Sequence, residues 1–221
     1  MNHETCVNLY ENWVQNNILT EGSLRPLFKA DKDLFVEIQN IGKKQLPILC
    51  RSQDVDDRLS QITDEVREGF ESGTSEGMLY GLFRYEDRHR PIPLYVGIAG
   101  IRGRTGCLST LFKSPRKKPR FDDYDGYHIG DLSTVVLQGH PQIKDYKIPW
   151  AGSFFESYPI NQPNQPKLRF SIYFWGIPWN TNSPSIVPDL GHVSLHLEEA
   201  LLIEIFSTLF PNDITNRLGV I

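Results

Sequence analysis

Two neighbouring stretches of the chain, 79–85 and 92–98, are rich in aromatic and β-branched side chains and are separated by a short charged segment. This pattern predicts two antiparallel strands joined by a turn. Side chains alternate between the two faces of a strand, so Tyr95 and Gly97 share one face of the second strand. If the strands pair, we expect Tyr80, Tyr95 and the small glycine gap to line one surface. In the alternative interpretation the hairpin is half buried and both tyrosines are core residues.

A different periodicity predicts a helix on either side of this hairpin. Before it, apolar residues recur at steps of three and four, at Val55, Leu59, Ile62, Val66 and Phe70. After it, the segment 195–209 carries a second apolar stripe, formed by Leu195, Leu202, Phe206 and Leu209. Such stripes are typical of helices that pack one face on a core.

Shorter alternating segments predict the remaining strands and loops. Residues 168–175 alternate cleanly and predict a third strand of the sheet. Less regular patterns predict a hairpin from 34–38 and 46–50, and a strand at 132–137. Segments rich in proline, glycine and amide side chains predict long loops at 159–166 and 176–191. Loops of this length inside a compact domain are often binding elements.

Together these elements predict an α+β fold, in which a small antiparallel sheet with a three-stranded core is flanked by helices. We expect residues 1–76 to form a mostly helical N-terminal extension and residues 77–221 to form one domain. Long insertions are expected within that domain at about 98–131 and 139–167.

Composition places the chain among ordinary globular proteins, with 221 residues, 39% hydrophobic and 23% charged. The three cysteines are scattered without a Cys-x-x-Cys pair, which argues against a disulfide framework and fits a reducing compartment. We find no signal peptide at the N-terminus and no apolar run of membrane-spanning length. The expected location is therefore the cytoplasm.

Net charge is −4, but the segment 102–120 is basic and contains no acidic residue. Its cations are Arg102, Arg104, Lys113, Arg116, Lys117, Lys118 and Arg120. In an acidic chain this run is the best candidate for phosphate contact and DNA binding. The alternative is a solvated loop that is balanced by the aspartates directly after it.

The hairpin and the last helix carry a resemblance to a known family. Tyr80-Gly81-Leu82 followed by Leu94-Tyr95-Val96-Gly97 resembles the two-part motif of the GIY-YIG nucleases. The segment HLEEALLIEIFSTLFPNDITN resembles that family's Glu-x-x-Leu-Ile helix, which is followed by a proline and an asparagine. The resemblance spans roughly 78–216, but only these short islands within it are specific.

The resemblance implies a Mg²⁺-dependent (or Mn²⁺-dependent) DNA endonuclease, and the size of the chain is similar to restriction-type members. In that family the first tyrosine, here Tyr80, lies beside the attacking water, and Tyr95 would position the water or the phosphate. Arg104, or alternatively Arg102, would neutralise charge in the transition state. Glu199 would hold the ion. The resemblance also implies a homodimer that cuts both strands of double-stranded DNA, with the insertions reading bases in the grooves.

Helical spacing independently favours Glu199 over Glu204, since Glu199 falls on the apolar stripe of residues 195–209. A carboxylate in such a position is costly unless it is paired or binds a cation. Without the family, a buried structural salt bridge would explain Glu199 better. Asn212 and Asn216 are candidates for the family's asparagine, although its usual spacing of about twelve residues reaches Pro211 from Glu199.

Departures from the family pattern support a second hypothesis, a catalytically silent nucleic-acid-binding or interaction module. Met78 replaces the first glycine, and Ile98 and Leu108 stand where many members carry a lysine and a histidine or tyrosine. His128 or Tyr127 is a candidate substitute for that last residue. A third possibility is a small structural protein with a chance motif match, in which a local cation would neutralise Glu199. A separate zinc hypothesis would use His192, His196 and Glu199 at helical spacing.

Overall fold

The computed structural model describes residues 1–19, 23–41, 45–86, 90–102, 112, 132, 133, 137, 151–156 and 166–215. Within these ranges the helices are α1 (His3–Asn17), α2 (Gln53–Glu71) and α3 (Leu195–Leu209). The strands are β1 (Arg25–Pro26), β2 (Ile38–Ile41), β3 (Leu46–Leu49), β4 (Ser75–Glu86), β5 (Arg90–Gly100) and β6 (Tyr173–Asn180). Short 3₁₀ turns lie at Ala151–Phe154 and Pro188–Leu190.

The central sheet has the strand order β1-β6-β4-β5, and its neighbouring strands are antiparallel. Its three long strands are the predicted hairpin, β4 and β5, and the later strand β6. A separate antiparallel hairpin is formed by β2 and β3. With helices packed on the central sheet, the protein has the α+β fold that the sequence predicts.

Each face of the central sheet packs against a different hydrophobic core. The α2-side core contains Tyr80, Leu82 and Phe174 of the sheet together with the apolar stripe of α2. The α3-side core contains Leu79, Phe83 and Trp175 together with buried residues of α1 and α3. This division follows from the alternation of side chains along each strand, since Leu79 and Tyr80 point to opposite faces.

The helix α2 confirms the prediction made from its apolar spacing. Val55, Leu59, Ile62 and Val66 are all buried on the α2-side core. Ser52 caps the helix, accepting a hydrogen bond from the Val55 N–H at 3.3 Å. Acidic residues in the first turn, Asp54 and Asp56, complement the positive end of the helix dipole.

The third long strand lies later in the chain than its pattern predicts. Residues 168–172 are mostly outside the ladder, and β6 instead runs through Gly176 and Pro178 into the segment expected to be a loop. Trp179 continues the alternation and is buried. Glycine and proline usually mark loops, but a strand edge tolerates proline because no N–H is required there. In the described structure β1 pairs only with residues 173 and 174 of β6.

The small hairpin is shifted in its first strand, which occupies 38–41 rather than 34–38. The Asp31 carboxylate accepts hydrogen bonds from the N–H groups of Asp33 and Phe35, and Leu34 adopts a positive φ of 68°. This local turn keeps the earlier residues out of the ladder. The predicted loop at 159–166 and most of the predicted strand at 132–137 lie outside the described residues.

The outer strand β5, and the part of β6 that β1 does not cover, carry prolines and side-chain hydrogen bonds. On β5, Thr215 donates to the Leu94 carbonyl through its N–H at 2.8 Å and its hydroxyl at 2.7 Å, and Tyr10 donates to the Pro91 carbonyl. On β6, Arg58 donates to the Gly176 carbonyl at 3.1 and 3.3 Å. These contacts occupy carbonyl groups that an added strand would need.

The first 76 residues contribute to both cores of the sheet. The helix α1 buries Cys6, Tyr10, Trp13 and Val14 in the α3-side core, and α2 lies on the opposite face. The Trp13 ring contacts Trp175 at 4.9 Å between centroids. None of the helices in the described ranges combines the length and apolar character needed to cross a membrane.

Candidate functional site

Pairing of β4 with β5 brings the two motif tyrosines together. Tyr80 lies opposite Gly97, and Leu82 lies opposite Tyr95. The ring centroids of Tyr80 and Tyr95 are 6.0 Å apart, and the Tyr80 ring stacks on Phe174 of β6 at 6.3 Å. The hairpin therefore places both tyrosines on the α2 face of the sheet.

Gly97 provides the space that the Tyr80 ring fills. A methyl group added at Gly97 would lie 2.6 Å from both Cζ and the hydroxyl oxygen of Tyr80, and 2.8 Å from Cε1 of Tyr95. A side chain at this position would displace at least one tyrosine. Tyr80 itself is only 2% exposed, whereas Tyr95 is half-buried. Tyr95 is thus the more accessible member of the pair.

Arg102 lies two residues after the end of β5, on the same side of the sheet as the tyrosines. Its guanidinium carbon is 5.6 Å from the centroid of the Phe70 ring, and Phe70 packs against the α2-side core. Arg102 is exposed to solvent. The other cations of the basic run, Arg104, Lys113, Arg116, Lys117, Lys118 and Arg120, lie outside the described residues.

Glu198 is the fully buried carboxylate of α3, with 1% of its surface exposed. It accepts hydrogen bonds from the Ser185 hydroxyl at 2.7 Å and from the Ile186 N–H at 2.9 Å. Burial raises the pKa of Glu198, and the hydrogen bonds from Ser185 and Ile186 and the nearby His192 oppose that rise. Through these two hydrogen bonds the Glu198 carboxylate connects the loop before α3 to the helix.

Glu199 is half-buried and has a different environment. Burial raises its pKa, and the neighbouring His196 lowers it. Within the described ranges its carboxylate has no hydrogen bond or salt bridge. Glu204 is exposed, as predicted. The sequence analysis singled out Glu199 as the carboxylate on the buried stripe. In the structure Glu199 is half-buried, and the fully buried carboxylate is its neighbour Glu198.

The helix α3 lies on the face of the sheet opposite to the tyrosine rings. Phe206, two turns after Glu199 and on the same side of the helix, contacts Tyr10 and Trp13 of α1 at 5.8 and 5.5 Å between ring centroids. Glu199 therefore lies on the flank of α3 that faces α1. The structure groups Tyr80, Tyr95 and Arg102 on one side of the sheet and places Glu199 on the other.

The remaining predicted residues are spread over the end of the chain and the insertions. Asn212 is exposed in the turn that follows α3. Its neighbour Asp213 forms a salt bridge with Arg84 at 2.8 Å. Asn216, His128 and Tyr127 lie outside the described residues.

Glu76, at the start of β4, is a residue that the sequence analysis missed. Its carboxylate accepts the N–H of Leu195, the first residue of α3, at 2.7 Å, and it pairs with His192 Nε2 at 3.0 Å. The other ring nitrogen of His192 lies 3.1 Å from the Ser183 carbonyl. No local sequence pattern predicts these contacts, since the partners are more than 110 residues apart.

The same contacts argue against the zinc hypothesis. His192 precedes α3 and is held by Glu76, so it does not share a helical face with His196 and Glu199. Among the residues that the structure describes, no group of three or more histidine, cysteine, aspartate or glutamate side chains is arranged to hold a metal ion.

Comparison of the chain with protein families, with curated proteins and with solved structures finds no match. A functional conclusion therefore depends on the residues and their geometry.

Proposed function

We propose that the protein is a Mg²⁺-dependent, sequence-specific DNA endonuclease whose reacting centre includes the Tyr80–Tyr95 hairpin. The observation that carries the proposal is the packing of the Tyr80 ring onto Gly97 beside Tyr95. Two phenols and an obligatory glycine on adjacent strands are more than a half-buried hairpin needs. Tyr80, Tyr95 and Gly97 match the tyrosines and the last glycine of the GIY-YIG motif, whereas Met78 replaces its first glycine. The proposal extends to a homodimer that acts on double-stranded DNA in the cytoplasm.

In the proposed reaction, water attacks the phosphorus of a phosphodiester, a new P–O bond forms and the bond to one ester oxygen breaks. Tyr80, after its phenol has lost its own proton to solvent, accepts a proton from the water as phenolate, and Tyr95, which is more exposed, holds the phosphate. Arg102 or Arg104 donates two hydrogen bonds to the non-bridging oxygens as negative charge develops. The leaving oxygen takes a proton from solvent.

Glu199 is the proposed ligand for the ion. A half-buried carboxylate without a hydrogen bond or salt bridge among the described residues fits a hard cation that prefers oxygen ligands. Bound Mg²⁺ or Mn²⁺ supplies Lewis-acid polarisation of the phosphate and stabilises the leaving oxygen. Glu198 fits less well, because Ser185 and Ile186 already occupy its oxygens.

The position of α3 restricts where such a centre can lie. The helix begins at the end of the sheet where β4 begins, since the Leu195 N–H meets the Glu76 carboxylate there. It ends near Phe83, whose ring centroid is 6.4 Å from that of Phe206. Since the tyrosines lie on one face and α3 on the other, a phosphate in contact with both would have to reach around this first end of the sheet.

A second candidate function is a silent nucleic-acid-binding module. It is favoured by the 2% exposure of Tyr80 and by the position of Glu199 on the opposite side of the sheet. In this alternative, Arg102 and the basic segment after it bind phosphates without hydrolysis.

The test is cleavage of a mixed-sequence phage DNA with and without Mg²⁺, by wild type, Glu199→Gln and the control Glu204→Gln. Both glutamates lie on α3, and Glu204 is exposed. We expect discrete fragments from wild type and from Glu204→Gln. Glu199→Gln should lose about a hundredfold or more in rate, the usual scale for removing one group that stabilises the transition state. Circular dichroism would verify that each variant is folded.

Three other outcomes would change the conclusion. DNA binding without cleavage by wild type would establish the silent module. Full activity of Glu199→Gln with loss in Glu204→Gln would move the ion to Glu204. Full activity of both, with loss in a folded Glu198→Gln, would assign the ion to the buried glutamate.

A further inference from the structure

At the start of β4, one residue, Glu76, contacts the tyrosine hairpin through its backbone and both α3 and the loop before it through its side chain. We propose that Glu76 is a positioning residue that sets the place of α3 relative to the tyrosine hairpin. The inference rests on the proposed function and deepens it. It does not depend on whether Glu198 or Glu199 holds the ion, because both lie near the start of α3.

The first connection is to the hairpin itself. Glu76 lies on β4, four residues before Tyr80, and its backbone carbonyl accepts a hydrogen bond from the Ile101 N–H at 2.9 Å. Ile101 directly follows β5 and directly precedes Arg102. The backbone of Glu76 thus fixes the point at which the basic segment leaves the sheet.

The second connection is to α3. The Glu76 carboxylate accepts the Leu195 N–H at 2.7 Å, while Ser194, the N-cap residue, accepts the Leu197 N–H at 3.4 Å. A carboxylate at this position also favours the positive end of the helix dipole. Hydrogen bonds to a charged acceptor are roughly twice as strong as neutral ones. The first turn of α3 is therefore anchored to the tyrosine strand by a charge-assisted bond.

The third connection is to the loop before α3. The second carboxylate oxygen of Glu76 pairs with His192, which also contacts the Ser183 carbonyl. The far end of α3 is held by aromatic packing of Phe206 on Phe83 and Tyr10. Loss of the Glu76 carboxylate would free the near end of the helix, where Glu198 and Glu199 lie, and leave the far end in place.

The test compares Glu76→Gln with wild type and with the control Glu71→Gln, an exposed glutamate at the end of α2. Hydrogen exchange reports on the Leu195 amide. Cleavage of phage DNA over a Mg²⁺ titration gives the half-saturating concentration, and gel shifts without metal give DNA affinity. For Glu76→Gln we expect faster Leu195 exchange and a half-saturating Mg²⁺ concentration about tenfold higher, as for other groups that orient a metal ligand. DNA affinity should stay within about twofold.

A merely structural role predicts faster exchange without a change in the Mg²⁺ titration, and that result would overturn the inference while the proposed function stands. Unchanged Leu195 exchange would also overturn it. If wild type does not cleave at all, the proposed function fails first and the positioning role fails with it.

Should Glu76→Gln not fold, His192→Gln removes one of the two side-chain contacts and leaves the Leu195 bond intact. We expect the same shift in the Mg²⁺ titration at a smaller scale, about twofold to threefold. A His192→Gln titration that superimposes on wild type would contradict the role of this contact.

Discussion

Gly97 is the residue on which the geometry of the tyrosine pair depends. A methyl group there would come within 2.6 Å of the Tyr80 ring. We expect Gly97→Ala to lower the free energy of unfolding by about 1–3 kcal/mol, the usual cost of overpacking a core. Urea denaturation monitored by tryptophan fluorescence measures this loss.

Gly100 is the matched control, because it lies on the same strand and an added methyl group meets nothing within 4 Å. We expect Gly100→Ala to change stability by less than about 0.5 kcal/mol, as for most surface substitutions. Equal effects of the two substitutions would show that Tyr80 is not seated on Gly97 in the way described. If the proposed function holds, only Gly97→Ala should also reduce cleavage.

At single residues, the sequence predicted the tyrosine pair but not the roles of the two adjacent glutamates. The period of two along a strand is enough to place Tyr80 and Tyr95 on one face once the strands pair. Neighbouring helical positions differ by about 100°, so a stripe can pass between Glu198 and Glu199 and bury either of them. Glu198 is the buried glutamate because Ser185 and Ile186 donate hydrogen bonds to it, and these residues belong to a loop without a periodic pattern.

The attachment of this loop to α3 should make stability depend on pH. Burial raises the pKa of Glu198 in the folded protein, so the folded state holds the proton more tightly than the unfolded chain. The resulting stabilisation is fully present below the ordinary glutamate pKa of about 4.3 and is lost as pH rises through the raised value. Glu198→Gln removes this loss, because the amide stays neutral and its oxygen can still accept the Ile186 N–H.

We therefore expect Glu198→Gln to gain stability relative to wild type between pH 4 and pH 7, with Glu204→Gln as the exposed control. Urea unfolding at both pH values measures the difference. Glu198→Ala, in contrast, leaves the buried Ile186 N–H without an acceptor and should cost about 1–3 kcal/mol at either pH. A difference between Glu198→Gln and wild type that does not change with pH would contradict the raised pKa.

Among the elements, helices and the hairpin were predicted well, and the third strand was not. The bounds predicted for α3 agree with Leu195–Leu209, and the stripe of α2 lies within Gln53–Glu71. The helical period is visible over many residues, whereas a strand of eight residues can be placed several positions too early. In β6 the misleading residues were Gly176 and Pro178, which the edge position tolerates.

The first 76 residues form part of both hydrophobic cores, so the stability of the whole molecule depends on them more than it would on an attached extension. Trp13 and Tyr10 of α1 pack on Phe206 of α3, and α2 covers the other face of the sheet. Losing one large core residue typically costs about 3–5 kcal/mol, against a total stability of about 5–15 kcal/mol. We expect the fragment 75–221, which keeps β4 whole, to lack a cooperative thermal transition.

Circular dichroism melts and binding of a hydrophobic dye measure whether fragment 75–221 unfolds cooperatively. The control is a fragment that lacks only Met1, which is exposed and precedes Asn2, the N-cap residue of α1, and should be dispensable. A cooperative melt of fragment 75–221 near the wild-type temperature would instead support a separate domain after residue 76. The sequence alone could not show whether residues 1–76 fold together with the rest of the chain. An amphipathic stripe indicates that one face of a helix is buried, but not which part of the chain buries it.

Blocked positions on the edges of the central sheet limit how two copies of the chain can associate. Prolines in β5 and β6 have no N–H to offer, and Thr215, Tyr10 and Arg58 already occupy edge carbonyls. At residues 91–94 of β5 and 176–178 of β6, these features oppose the extension of main-chain hydrogen bonding across a two-fold axis. A dimer formed there would be held by side-chain surfaces. Surface substitutions should then separate the subunits of the proposed homodimer and leave each one folded, so that single-strand nicking and double-strand cutting become separable activities.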